Sequence, residues 1–167
     1  LLRELGLAPA HILGHSIGGR VAQWMALDAP DVVASLILAA SGPGPFRADR
    51  PHIRAVPPYT RERIARFGYE GYMAAHIRDT FFTPEFAAAH PERVAYLVTA
   101  FWEHRPTLGN YLKHVAARQR HRTTHLLDRI RLPTVLLIGD RDTHEGGTGN
   151  HWEQSQYLAA HLPQAEL

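Results

Sequence analysis

Short apolar runs and a helical periodicity alternate along this chain. "AHILG" at 10–14, "VASLILAA" at 33–40 and "PTVLLIG" at 133–139 are nearly unbroken apolar runs, the pattern of parallel strands buried on both faces. Between the first two, Val21, Ala22, Trp24, Met25 and Leu27 recur at helical spacing and stop at "DAPD". Strand, helix and strand with short joints predict a βαβ unit. Residues 1–7, closed by Gly6 and followed by Pro9, read as the last turns of a preceding helix.

From "SGPGPF" the pattern changes. Pro43, Pro45, Pro51, Pro57 and Pro58 interrupt any regular element up to about Tyr59, and the stretch from there to about Arg129 is helical in period, with breaks at Gly68, Pro84, Pro91 and Pro106. It contains no good strand. After the run at 133–139 comes an acidic loop, "DRDTHEGG", and then a helix opened by Asn150 with Glu153 three residues on, a capping-box arrangement. A further strand begins near Ala165. The fold class is therefore α/β: a parallel sheet carried by 1–42 and 130–167, interrupted by a helical insertion at 43–129.

Composition narrows the function classes. The 167 residues suffice for a real core, and a formal net charge of +2 with 45% hydrophobic residues describes an ordinary globular protein. The basic residues are scattered arginines rather than a polybasic tail, so no nucleic-acid partner is expected. With no cysteine, neither disulfides nor thiolate metal sites can form. No apolar run approaches the ~20 residues of a membrane span, and "LLRELGLAPAH" lacks the pattern of a signal peptide, which fits a cytoplasmic protein without a membrane partner. The chain starts at Leu1 and stops in "LPQAEL", where a strand is beginning, and reads as an internal piece of a longer protein.

The candidate chemistry centres on "GHSIGGR" at 14–20. Gly-x-Ser-x-Gly is weak alone, but here it follows a strand directly and opens a helix, the setting of a nucleophile elbow. Turning from strand to helix within a few residues forces Ser16 into a strained conformation, and Gly14 and Gly18 are expected to remove Cβ atoms that would collide. Gly19 gives a further close approach. The helix starting at Ile17 aims free N–H groups and its positive end at the serine, so the Ile17 amide is a candidate oxyanion donor. The bland alternative is that Ser16 caps the helix. His15 reads as packing or loop filler.

With the elbow and layout in place, the chain resembles the α/β-hydrolase family over nearly its whole length. "HILGHSIGGRVAQWMALDAPDVVASLILAASG" is similar to that family's fifth strand, elbow, helix and sixth strand, and "LLDRIRLPTVLLIGDRD" to the helix and seventh strand before the acid loop. The helical insertion resembles the family's cap. The resemblance implies a triad acid three residues after Gly139, which is Asp142, with Asp140 as the neighbour to exclude. Such a carboxylate orients the base and stabilises its imidazolium. The resemblance also implies a histidine base after an eighth strand, beyond Leu167, and a second oxyanion donor after a third strand, before Leu1. The 167 residues alone would then be nearly inert, since loss of the base costs on the order of a millionfold in turnover. An uncovered strand edge and an uncovered apolar face, both normally covered, would also leave them poorly soluble.

The implied function is a serine hydrolase acting on a small-molecule carboxylic ester, lactone or similar acyl compound, with no cofactor. Carbon–carbon bond hydrolases, haloperoxidases and acyltransferases share the scaffold, and a non-catalytic ligand- or partner-binding protein is the alternative of a different class. Other constellations carry less. His121 and His125 stand i, i+4 without a Glu between them and with Arg120 and Arg122 beside them, so no metal site is expected. His144, Glu145 and His151 cluster no more than chance allows. Aromatics such as Tyr69, Tyr72 and Trp102 pack small helices or line an apolar pocket above Ser16. Arg47, Arg50, Arg54, Arg61, Arg63 and Arg66 form a solvated face or attract a carboxylate-bearing substrate.

Overall fold

The computed structural model describes residues 1–48, 55–142 and 150–167. In chain order they form β1 (Ala10–His15), α1 (Ile17–Asp28), β2 (Val33–Ala39), α2 (Pro58–Phe81), α3 (Pro84–Ala89), α4 (Pro91–His104), α5 (Leu108–Arg120), β3 (Thr134–Leu137), α6 (His151–His161) and β4 (Ala165–Glu166). The chain divides into two compact units, Leu1–His52 with Arg118–Leu167, and Ile53–Ala117. Arg50, Arg54 and His144 lie outside the described residues.

The first unit is built on a parallel sheet of order β1-β2-β3-β4. Register places Gly14, Leu38 and Leu136 in one row and Leu13, Ile37 and Val135 in the next. Because side chains alternate across a strand, these rows lie on opposite faces. On the first face Leu36, Leu38 and Leu136 pack with Ala22 and Ala26 of α1 and with Leu158 of α6. The second face is open: Leu13 is 63% exposed, Val135 41% and Leu137 49%. Among the described residues α1 and α6 pack on one face only, which leaves the other apolar face uncovered, as expected for a chain that carries part of a sheet.

Residues 1–7 close as a helix end does: Leu5 N donates to Leu1 O and Leu7 N to Leu2 O, both at 2.9 Å, Gly6 N to Arg3 O at 3.1 Å, and Gly6 has φ 67°. That is a glycine-closed cap, so the stop signal was sound. In α1 the buried face is Gly19, Arg20, Ala22, Gln23 and Ala26, whereas Val21 is 56% and Trp24 39% exposed. Small residues let the helix lie close on the sheet, Met25 and Leu27 pack at its margin, and Val21 and Trp24 point outward.

A buried polar network ties the flanks of the insertion to this unit. Thr123 N donates to Pro43 O at 2.8 Å, Thr123 Oγ1 to Gln23 Oε1 at 2.5 Å, and Gln23 Nε2 to Gly42 O at 3.1 Å. These bonds keep 43–48 and 118–129 with the sheet, whereas the insertion boundary read from sequence is 43–129. Arg20 is 3% exposed and donates to Arg118 O at 2.9 Å; burial, with Arg118 adding to it, lowers its guanidinium to about 9.

His121, at 8% exposure, belongs to the same network. Trp24 Nε1 donates to its Nδ1 at 3.2 Å, so the ring proton sits on Nε2, facing Thr123 Oγ1 at 3.3 Å. Burial, with Arg20 adding to it, lowers His121 to about 3. In the unfolded chain the ring takes its proton near pH 6.5. Between those values the unfolded state binds more protons, so this group removes stability as pH falls from about 6.5 toward 3, by up to about 1.4 kcal/mol per pH unit. Urea unfolding of the native chain and of His121→Gln at several pH values checks this: the variant is expected to lose less stability between pH 6.5 and 4.5.

The second unit is helical. Pro58, Pro84 and Pro91, the breaks seen in the sequence, are first-turn prolines of α2, α3 and α4. Gly68, at φ 71° and ψ 171°, kinks α2. Tyr72, Met73 and Ile77 form the buried centre, joined by Tyr69, Leu97, Phe101 and Tyr111. Tyr69 stacks near Trp102 and Tyr111 at 5.5 and 5.4 Å, and Arg105 lies over the Trp102 ring at 4.2 Å. Arg63 stands 4.0 Å from Asp79, and Arg66 lies 5.0 Å from the Phe67 ring centroid. Among the described residues no helix is long and apolar enough to cross a membrane.

Candidate active site

Ser16 stands between β1 and α1 at φ 52° and ψ −116°, a region that L-residues seldom adopt. Holding a non-glycine residue there costs about 1–3 kcal/mol. Its side chain makes no capping hydrogen bond to α1. A serine recruited as a cap would have extended backbone and would accept from the first turn, so the bland alternative does not describe this residue. The residue is half-buried and its hydroxyl is not committed to capping the helix.

Glycines make the turn sterically possible, though not the pair expected. A Cβ on Gly14 would lie 2.5 Å from Gly18 O and from Gly19 Cα, and one on Gly19 would lie 2.5 Å from Ser41 Cβ and Oγ. A Cβ on Gly18 would meet nothing within 4 Å. The expected role of Gly18 thus passes to Gly19. Gly14→Ala has no flexible neighbour to displace, and a loss of more than about 4 kcal/mol is expected. Gly18→Ala, inside a helix, is expected to gain up to about 1 kcal/mol. Urea unfolding of the two variants checks the contrast.

The strands bring the candidate groups to one edge. Ser16 N donates to Ala39 O and Ala40 N to Leu137 O, both at 2.8 Å, so the ladder continues past the strand ends. Ser16 and the loop after β3 therefore leave the same C-terminal edge of the sheet, two strand spacings or about 10 Å apart. Ile17 is the first residue of α1, and the first turn of α1 carries no acidic side chain. Its amide is among the N–H groups that have no partner within the helix, and the positive end of the helix is left uncompensated there.

Asp142 is fixed by both backbone and side chain. Its N–H donates to Gly139 O at 3.0 Å, and its carbonyl accepts from Trp152 N at 3.1 Å. Its Oδ2 lies 3.4 Å from His151 Nδ1, with both side chains about a quarter exposed. Asp140 is exposed. The contact with His151 was not anticipated from sequence; Asn150 Oδ1 accepts from Glu153 N at 2.8 Å and sets His151 at the start of α6. His15 is exposed at the end of β1. Arg47 pairs with Glu153 at 3.1 Å.

Ser41 was also missed. Its hydroxyl, in a residue only 1% exposed, donates to Ser16 O at 2.7 Å across 25 residues of sequence. A hollow of about 500 Å³ lined by Leu1, Leu2, Met25, Ala29 and Val32 lies toward the other end of α1, away from Ser16.

Comparison with known proteins agrees with this architecture. The alpha/beta hydrolase fold family matches residues 1–167. RutD of Pseudomonas savastanoi pv. phaseolicola, provisionally named a carbamate hydrolase, is 33% identical over 100% of this chain and 61% of its own length. The chain thus spans about 61% of that curated relative. A hydrolase from Pseudomonas aeruginosa PA01 superposes with a TM-score of 0.73 at 26% identity, over 98% of this chain and 57% of the other. The enol-lactonase from Burkholderia xenovorans LB400, at 17% identity and a TM-score of 0.71 over 99% and 58% of the two chains, shares the fold. With its family matched end to end and its parallel sheet leading through a strained serine turn, the chain belongs to the alpha/beta hydrolase fold family.

Proposed function

We propose that this chain carries the nucleophile and the acid of a serine hydrolase that cleaves a carboxylic ester, lactone or similar small acyl compound. The likeness to RutD adds carbamates to the substrates worth testing. In this reading Ser16 Oγ attacks the acyl carbon while a histidine, oriented by Asp142, takes its proton. The carbonyl π electrons move to oxygen, and the Ile17 N–H donates to the oxyanion. Collapse expels the leaving group, which takes the proton back. Water then repeats the sequence on the acyl-enzyme and releases the acid.

The single observation that carries the reading is the backbone of Ser16. A positive φ of 52° is retained although the hydroxyl caps nothing, and strain of that kind concentrates where function requires it. The half-buried, doubly anchored Asp142 supports it over the exposed Asp140 as the acid. The test is a panel of p-nitrophenyl acetate, a γ-lactone and an aryl carbamate, assayed with the product of the complete coding sequence. Turnover of at least one, abolished by a fluorophosphonate, is the expected result. No turnover together with no fluorophosphonate adduct would overturn it.

A further inference from the structure

Both peptide groups that flank Ser16 are tied to the end of β2. The one before it is held by Ser16 N donating to Ala39 O at 2.8 Å. The one after it, Ser16–Ile17, is held through its carbonyl, which accepts from Ser41 Oγ at 2.7 Å and from Gly19 N at 3.1 Å. A peptide group is planar, so fixing the direction of its C=O fixes the direction of its N–H. The N–H of that group belongs to Ile17. From this geometry we infer that Ser41 is a positioning residue that aims the Ile17 amide at the oxyanion, an inference that rests on the catalytic reading of Ser16 and Ile17.

Three features set Ser41 apart from an ordinary buried serine. It follows Ala40, whose φ of 43° is the other positive value outside glycine among the described residues. Strain at Ala40 thus directly precedes the hydroxyl that holds the strained Ser16. Ser41 is also packed against the backbone of α1, since a Cβ on Gly19 would come within 2.5 Å of its Cβ and Oγ. Gly19 is therefore the vacancy that lets the hydroxyl reach the Ser16 carbonyl. Finally, its bond is the shorter of the two at that carbonyl, and it comes from outside α1. The Gly19 bond lies within the first turn and moves with the helix, so Ser41 is the reference that ties the peptide to the sheet.

The test compares Ser41→Ala and Ser41→Cys with the unaltered product of the complete coding sequence. Active sites are titrated with a fluorophosphonate, and kcat and KM are measured for p-nitrophenyl acetate per titrated site. Loss of an oxyanion donor costs about 10²–10³ in kcat; loss of its positioning residue is expected to cost less, about tenfold to a hundredfold in Ser41→Ala. KM should stay within about twofold, because an oxyanion donor acts on the charge that develops in the transition state rather than on the bound substrate. Cys, with a weak donor in nearly the same volume, is expected to recover part of the loss. A merely structural role would reduce the number of titrated sites and the melting temperature while leaving kcat per site unchanged, and that result would overturn the inference. Unaltered protein that neither turns over nor takes the probe would overturn the catalytic reading, and this inference with it. Normal kcat per site in Ser41→Ala, beside an active parent, would overturn this inference alone.

Discussion

Ser16→Ala is expected to lower turnover by about a millionfold while leaving the protein folded. In the proposed reading the nucleophile and its base act as a unit, so loss of either removes nearly all that a triad supplies, leaving only what binding and the oxyanion donor provide. The fold should tolerate the change because the Ser16 hydroxyl makes no cap bond to α1, while the backbone bonds of Ser16 to Ala39 and Gly19 do not involve its side chain. Ser16→Gly sharpens the prediction. Glycine reaches φ 52° without steric strain, so part of the 1–3 kcal/mol stored there should reappear as stability in a protein equally inactive. Steady-state kinetics and urea unfolding on the two variants check both halves. Equal activity in Ser16→Ala, or unfolding of that variant, would be the contrary result.

Asp142→Asn is expected to lower kcat by about 10⁴-fold, since an amide in that place selects the wrong imidazole tautomer and cannot stabilise the imidazolium. The loop should survive, because Asp142 N to Gly139 O and Trp152 N to Asp142 O are backbone bonds that asparagine keeps. Asp140→Asn is the matched control. Asp140 is exposed, and its change should leave kcat within about twofold. Steady-state kinetics of the two variants with one p-nitrophenyl ester discriminate the acids: reversed effects would move the acid to Asp140.

Much of the sheet unit was legible in the sequence because its signals are local. Three apolar runs gave β1, β2 and β3, the Gly-x-Ser-x-Gly turn gave the junction of β1 with α1, and Asn150 with Glu153 gave the start of α6. What stayed hidden depends on which groups meet across the sequence. Gly18 and Gly19 are neighbours of one residue type, and only the proximity of Ser41 to Gly19 separates their roles. Ser41 itself sits in a proline- and glycine-rich exit from β2 with no motif around it. Its contact with Ser16 follows from the parallel register that pairs His15 with Ala39, and sequence alone does not state a register. His151 reads as part of a chance cluster, yet the start of α6 brings it to Asp142.

The claim beneath all of this is that the turn after β1 lifts one hydroxyl out of the helix and makes it the reacting group. The most direct measurement is peptide mapping by mass spectrometry after a fluorophosphonate has reacted with the product of the complete coding sequence. A single adduct on Ser16, absent after heat unfolding and absent in Asp142→Asn on the same time scale, is the predicted result. An adduct on another residue, or none in a protein that hydrolyses esters, would contradict it.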